Sequence, residues 1–303
     1  MGAQAAAFAV VGRMPLPSRR HSLGLSASRI RFNFQDRKPL PTTTMKMAAE
    51  EKSWRDEVLV LPSGFKMAAR IWGDPLAAPE SPQHRWIALH GWADNAATFD
   101  RMAPLLLKSG ATCVVALDAA GHGLSDHRWS YTDTDNVLDV VSAAESLGWD
   151  KYSVVGHSLG GCVAQALAAT VPDKVARLIV IEALGWFSHD GQGALGALRK
   201  KALEEAAASS KKSTWTTYRD LDACAQRRAK QNMAGPMSVE DAHVLVARGT
   251  KPSPSGAGLV WTADAGIMKT RIRPSEPMVT EILSGIRCPH ALVLARDGLF
   301  KGN

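Results

Sequence analysis

Tyr152-Ser153-Val154-Val155-Gly156-His157-Ser158-Leu159-Gly160-Gly161 joins a short apolar run to a G-x-S-x-G pattern, which opens an Ala- and Gly-rich segment, Leu159–Ala169. The run reads as a buried strand and the segment after it as a helix. A sharp strand-to-helix turn between them pushes Ser158 into a strained conformation and leaves its hydroxyl exposed. Gly156 and Gly160 remove side chains that would clash across that turn. Gly161 allows close helix packing. The hydroxyl then stands at a helix N-terminus, where free amides favour a developing negative charge.

Outward from this turn, short apolar strands alternate with helical stretches, the pattern of an α/β domain with a mostly parallel sheet. Upstream strands are predicted at 57–61, 65–72, 86–89 and 112–117, with helical spacing over 97–108 and 137–147. Downstream, Leu178–Ile181 is a sixth strand ending at Glu182. From 185 to 270 helix formers and loops replace the alternation, as in a helical cap inserted after that strand. A helix over 276–286 and a seventh strand at 291–294 follow. The domain reading is an arm at 1–46, a core at 47–184 and 271–303, and a cap at 185–270.

The chain has 303 residues and a formal charge of +7, but residues 1–50 hold eight Lys/Arg against Asp36 and Glu50. Nearly all the basicity belongs to the arm, so it gives no reason to expect nucleic-acid binding by the domain. The arm is rich in Ala, Ser and Arg, almost free of acids, and broken by Pro15, Pro17, Pro39 and Pro41. That is transit-peptide composition, for mitochondrion or plastid. The competing reading is a disordered tail, or a start at Met45 or Met47 of a cytoplasmic protein. No apolar run reaches the roughly 18 residues a spanning helix needs. Cys113, Cys162, Cys224 and Cys288 form no C-x-x-C pair and read as reduced thiols, with neither a disulfide frame nor a metal site expected.

Two further motifs carry chemistry. His90-Gly91-Trp92 follows the third strand. A tetrahedral acyl intermediate needs two donors aimed at its oxyanion. The amides of Leu159 and Trp92 are the candidates, with His90 holding the loop. Asp118-Ala119-Ala120-Gly121-His122-Gly123-Leu124-Ser125 follows the fourth strand, and its Asp118 and His122 read as residues that tie loops together. His157 adjoins Ser158 in sequence and is expected to point away from it.

HGW at 90–92, DAAGHGLSD at 118–126 and GHSLGG at 156–161, in this order and spacing, resemble the α/β-hydrolase superfamily. Leu259–Asp264 and Ile286–Leu294 are similar to its serine-hydrolase-like branch, near the epoxide hydrolases and haloalkane dehalogenases. Those two use aspartate at the turn, whereas Ser158 implies acyl transfer to water through a covalent acyl-enzyme. The resemblance places the triad acid after the sixth or the seventh strand, so Glu182 and Asp297 both stand as candidates. It places the histidine base after an eighth strand, tens of residues beyond Asp297. Only six residues follow Asp297, so the eighth strand, the base and the last helix are expected to be missing from the chain as written. The seventh strand would then be a bare edge. The substrate class is a small acyl compound, with Trp186, Trp215, Leu259 and Trp261 as candidate pocket residues and no cofactor implied. A non-catalytic small-molecule sensor, or a lyase or luciferase-like activity on the same scaffold, stays open beside the hydrolase.

Overall fold

The computed structural model describes residues 8–11, 54–77, 84–189, 193–208, 216–231, 237–269, 271–296, 298 and 300. In chain order the strands are β1 (Phe8–Val11), β2 (Trp54–Val60), β3 (Lys66–Gly73), β4 (Arg85–Leu89), β5 (Cys113–Leu117), β6 (Tyr152–His157), β7 (Val175–Ile181), β8 (Thr250–Pro252), β9 (Leu259–Trp261) and β10 (His290–Ala295). The helices are α1 (Ala103–Lys108), α2 (Asp133–Ser146), α3 (Leu159–Thr170), α4 (Ala194–Ala208), α5 (Leu221–Lys230), α6 (Val239–Gly249) and α7 (Glu276–Ser284).

Eight strands form one sheet in the order β1-β10-β7-β6-β4-β5-β3-β2. The five central strands, β10 to β5, run parallel, while β2, β3 and β1 are antiparallel to their neighbours. This is the mostly parallel sheet of an α/β fold. From β4 the chain first moves outward to β5, then crosses back to β6 on the other side. The sheet therefore changes winding direction between β4 and β6, and a crevice opens beyond their carboxyl ends.

Alternation along β4 shows how the layers form. Ile87 and Leu89 face the core that Val140, Val163 and Leu167 of α2 and α3 complete. Trp86 and Ala88 face the opposite core, with Phe99 and Ala103. Both faces are thus covered, and so the strand reads as a continuous apolar run.

Four features depart from the sequence reading. The helix expected over 97–108 is a 3-10 turn, Ala96–Phe99, followed by a shorter α1. Asn95 caps the first through Ala97 N, and Pro104, whose missing N–H suits only a helix start, begins the second. Helix α2 starts four residues earlier than its apolar face suggests, because the Thr132 side chain accepts from Asp135 N. Between 185 and 270 the helices are joined by an unexpected hairpin, β8–β9, whose turn uses Gly256 and Gly258 at φ 76° and 75°.

The fourth departure concerns the sheet edge. The seventh predicted strand, β10, is not bare: Phe8–Val11 pairs antiparallel with Ala295–Leu292. A Phe-Ala-Val-Val run suits a strand, and its backbone occupies hydrogen-bonding groups that an open edge would expose. Of the proposed arm at 1–46, only these four residues are described. The remainder of the targeting reading lies outside the described residues, as do Trp215 and Asp297. Among the described residues no helix is long and apolar enough to cross a membrane.

Candidate active site

Strand β6 delivers Ser158 to the crevice at the switch point. His157 of β6 pairs with Ile181 of β7, and the Ser158 amide donates to Ile181 O at 2.8 Å. The chain then turns at once into α3, with Ser158 as its N-cap at φ 51° and ψ −118°. A non-glycine residue at such a φ carries backbone strain that the surroundings must hold. The surroundings here are glycines. A Cβ at Gly156 would lie 2.2 Å from Gly160 O, and one at Gly160 would lie 2.1 Å from Leu89 O at the end of β4. Both positions are glycine because backbone passes against backbone.

Only three non-glycine residues among those described have positive φ: Ala93 at 60°, Ser158 at 51° and Glu182 at 54°. All three line one cavity of about 280 Å³. Its wall includes Trp92, Asp94, Asn95 and His157 from the core, and Arg228, Gln231, Leu245, Val246 and Trp261 from the helical segment 185–270. Backbone strain thus clusters at the carboxyl ends of β4, β6 and β7 and nowhere else in the described chain.

Glu182 occupies the place on β7 that Ser158 occupies on β6. Its amide donates to Val293 O at 2.9 Å, and its Oε1 accepts from the Ala295 amide on β10. A Cβ at Gly298 would lie 2.2 Å from Glu182 Oε2. The carboxylate from β7 therefore fills the space beside residue 298, in the stretch after the seventh predicted strand. Asp297, the other candidate acid, lies outside the described residues.

The loop after β4 is held by His90. Its Nε2 accepts from the Ala119 amide at 3.0 Å, which leaves the proton on Nδ1 to donate to Gly91 O at 2.7 Å. Trp92 lines the cavity and its indole Nε1 donates to Ile267 O at 3.1 Å. Leu159 is the first residue of α3, so its amide is among those a helix cannot satisfy internally.

Asp118 and His122 face inward. Asp118 is fully buried and accepts from the Ala96 amide at 2.7 Å and the Leu124 amide at 2.8 Å. The His122 Nδ1 lies 2.9 Å from Ala120 O, and burial, reinforced by nearby His90, lowers its pKa to about 3. His157 is the only histidine lining the cavity among the described residues. Burial lowers its pKa too. His290 begins β10, opposite Leu178, at the far end of the strand from the site.

Of the candidate pocket residues, Trp261 lines the cavity, whereas Trp186 is buried in the sheet core and Leu259 packs against the α5–α6 core. The sequence reading missed Ala93, Asp94, Arg228 and Gln231. Nothing in local spacing marks Arg228 as a cavity residue, since it arrives from 134 positions away to meet Asp94 at 2.5 Å. The four cysteines are free, and among the described residues no group of His, Cys, Asp and Glu is arranged to hold a metal.

A family model described as the alpha/beta hydrolase fold matches residues 87–203. Over 277 residues the chain is 31% identical to a serine hydrolase-like protein of Danio rerio, covering 88% of this chain and 78% of that one. It is 32% identical over 213 residues to serine hydrolase-like protein 2 of Homo sapiens, covering 68% of this chain and 63% of the human protein. Among solved structures it is similar to a hypothetical protein from Pseudomonas aeruginosa PAO1, with a TM-score of 0.69 and 33% identity over 78% of this chain and 80% of that one. A strained serine between a parallel strand and a helix, a conforming motif order and these relatives agree: the chain belongs to the α/β-hydrolase superfamily, in its serine hydrolase-like branch.

Proposed function

We propose that this protein hydrolyses a carboxylic ester or related acyl compound through an acyl-enzyme on Ser158. The observation that carries this reading is the position of Ser158 at φ 51°, on the wall of a largely apolar cavity, at the first turn of α3. In this reading Ser158 Oγ attacks the acyl carbon and loses its proton to a base. The amides of Leu159 and Trp92 receive the charge that develops on the acyl oxygen. The alcohol leaves with a proton, and water then attacks the acyl-enzyme, releasing the acid and restoring the hydroxyl.

Glu182 is the acid of this reading. It stands one strand away from Ser158, at the same level of the sheet, and is anchored by the Ala295 amide. A carboxylate there would stabilise the positive charge that a base beside Ser158 acquires on taking the proton. The segment 185–270 acts as a cap, with Leu245 and Val246 of α6 and Trp261 of β9 lining the cavity that holds Ser158. Their apolar surface favours a small acyl group of low polarity.

A fluorophosphonate probe tests the reading directly. The wild-type chain is expected to be labelled at Ser158, with labelling abolished in Ser158→Ala at unchanged melting temperature. A folded wild-type protein that resists labelling would sink acyl chemistry and favour a non-catalytic ligand sensor.

A further inference from the structure

The loop that follows β4 is tied to the helical segment at three successive residues. Asp94 pairs with Arg228 of α5 at 2.5 Å. Asn95 Nδ2 donates to Leu245 O of α6 at 2.9 Å. Ala96 N donates to Asp118, and Asp118 in turn is held by Arg248, the penultimate residue of α6. The last tie is the most deeply buried. The Arg248 side chain is 1% exposed and that of Asp118 0%. Arg248 Nε donates to the two Asp118 oxygens at 3.2 and 3.0 Å, Nη2 lies 2.9 Å from Oδ2, and Nη1 meets Asp56. Asp56 and Asp100 share a second guanidinium, that of Arg70, and complete the group.

This arrangement has a direction. Asp118 accepts the Ala96 and Leu124 amides, so it fixes the backbone of the loops after β4 and β5 together. A buried carboxylate holds that geometry only while its countercharge is present. The countercharge comes from α6. Seating of the helical segment is thereby tied to the shape of residues 91–96, which include the candidate oxyanion donor Trp92.

We propose that Arg248 is a positioning residue for acyl transfer: acting through Asp118, it sets the loop that presents the Trp92 amide, so that docking of α6 and formation of the oxyanion-binding loop are one event. The proposal rests on the Ser158 reading for its catalytic consequence, but the coupling between Arg248 and the loop stands on the contacts alone.

Hydrogen exchange and probe labelling on the full chain separate these two parts. In Arg248→Met, amide exchange over 91–96 is expected to rise at least tenfold while exchange in β6 stays unchanged. Fluorophosphonate labelling of Ser158 should slow by a similar factor. Arg248→Lys keeps the charge but cannot span Asp118 and Asp56 together, and should fall between the two. Arg101→Ala cuts the exposed Arg101–Asp241 pair, which joins the core to α6 without touching the loop, and should leave 91–96 as in wild type. A folded Arg248→Met protein with wild-type exchange over 91–96 overturns the proposal. So does a loosened loop with undiminished labelling. If wild type is not labelled at all, the ester reading fails while exchange alone still decides the coupling. Should Arg248→Met not fold, Arg248→Lys decides, and unchanged exchange over 91–96 in that folded variant overturns the proposal equally.

Discussion

Strands β6 and β10 are both six-residue, largely apolar runs in the parallel part of the sheet, yet the molecule treats them differently. In β6, Tyr152 to Gly156 are buried and only His157 is partly exposed, whereas every residue of β10 is half-buried. β6 lies between β4 and β7 and under α3. β10 has β7 on one side and the four-residue β1 on the other. The turn at Ser158 is therefore set by backbone packed on backbone. The Glu182 carboxylate, beside the half-buried β10, accepts the Ala295 amide and lies where a side chain at Gly298 would stand. Ser158 and Glu182 share a sheet level, yet the strands that carry and flank them are buried to different depths.

The hardest test of this contrast is Gly160→Ala. The new methyl would press on the main chain at Leu89 and His90, which cannot rotate aside. A loss of about 3 kcal/mol of stability, read by urea denaturation, is expected from such overpacking. A folded variant of near wild-type stability would show that the turn is softer than its contacts imply.

Paired truncations sharpen the comparison along the strands. Leu178 of β7 is 1% exposed, and Leu178→Ala should cost about 3 kcal/mol. Leu292 of β10 touches the same core while half-buried, so Leu292→Ala should cost about 1 kcal/mol, since less apolar area is removed from contact. Equal losses in the two variants would erase the difference between the strands.

Acid separates the two halves through His122, which belongs to the buried side, beside His90. Burial holds its folded-state pKa at about 3, below the ordinary 6.5. Between those values the unfolded chain binds a proton that the folded one does not. This contribution to stability is whole above pH 6.5 and is lost as the pH falls towards 3, by about 1.4 kcal/mol per unit. His122→Gln should flatten that part of the stability–pH curve. An unchanged slope would mean that the acid sensitivity arises elsewhere.

Gly298→Ala should have the smallest effect. Its methyl would meet the end of the Glu182 side chain, which can swing, so stability should change by less than about 1 kcal/mol. Labelling of Ser158 should slow several-fold as the carboxylate is displaced. Unaltered labelling would remove Glu182 from the mechanism.

How much of this was legible beforehand depended on the range of the interaction. The parallel core was readable because strands buried on both faces are written as continuous apolar runs, as in Val114–Leu117 and Val154–Val155. The turn at Ser158 was readable because its constraints fall within five consecutive residues. The choice between Glu182 and Asp297 was open in sequence. Laying β10 beside β7 puts the Glu182 carboxylate against Gly298, a contact no local pattern shows. The strand at Phe8–Val11 and the hairpin β8–β9 were missed, since three- and four-residue runs have too few positions to show a period.

By itself the sequence determined the class of fold, the strand-to-helix turn at Ser158 and the order in which the site's loops are strung, because each is specified by neighbours along the chain. Only the tertiary structure decided which distant charges meet. Asp118 is separated from Arg248 by 130 positions and Asp94 from Arg228 by 134. Such pairs leave no local pattern, for it is the folding of α5 and α6 onto the crevice that brings them within reach and removes the water that would otherwise screen them.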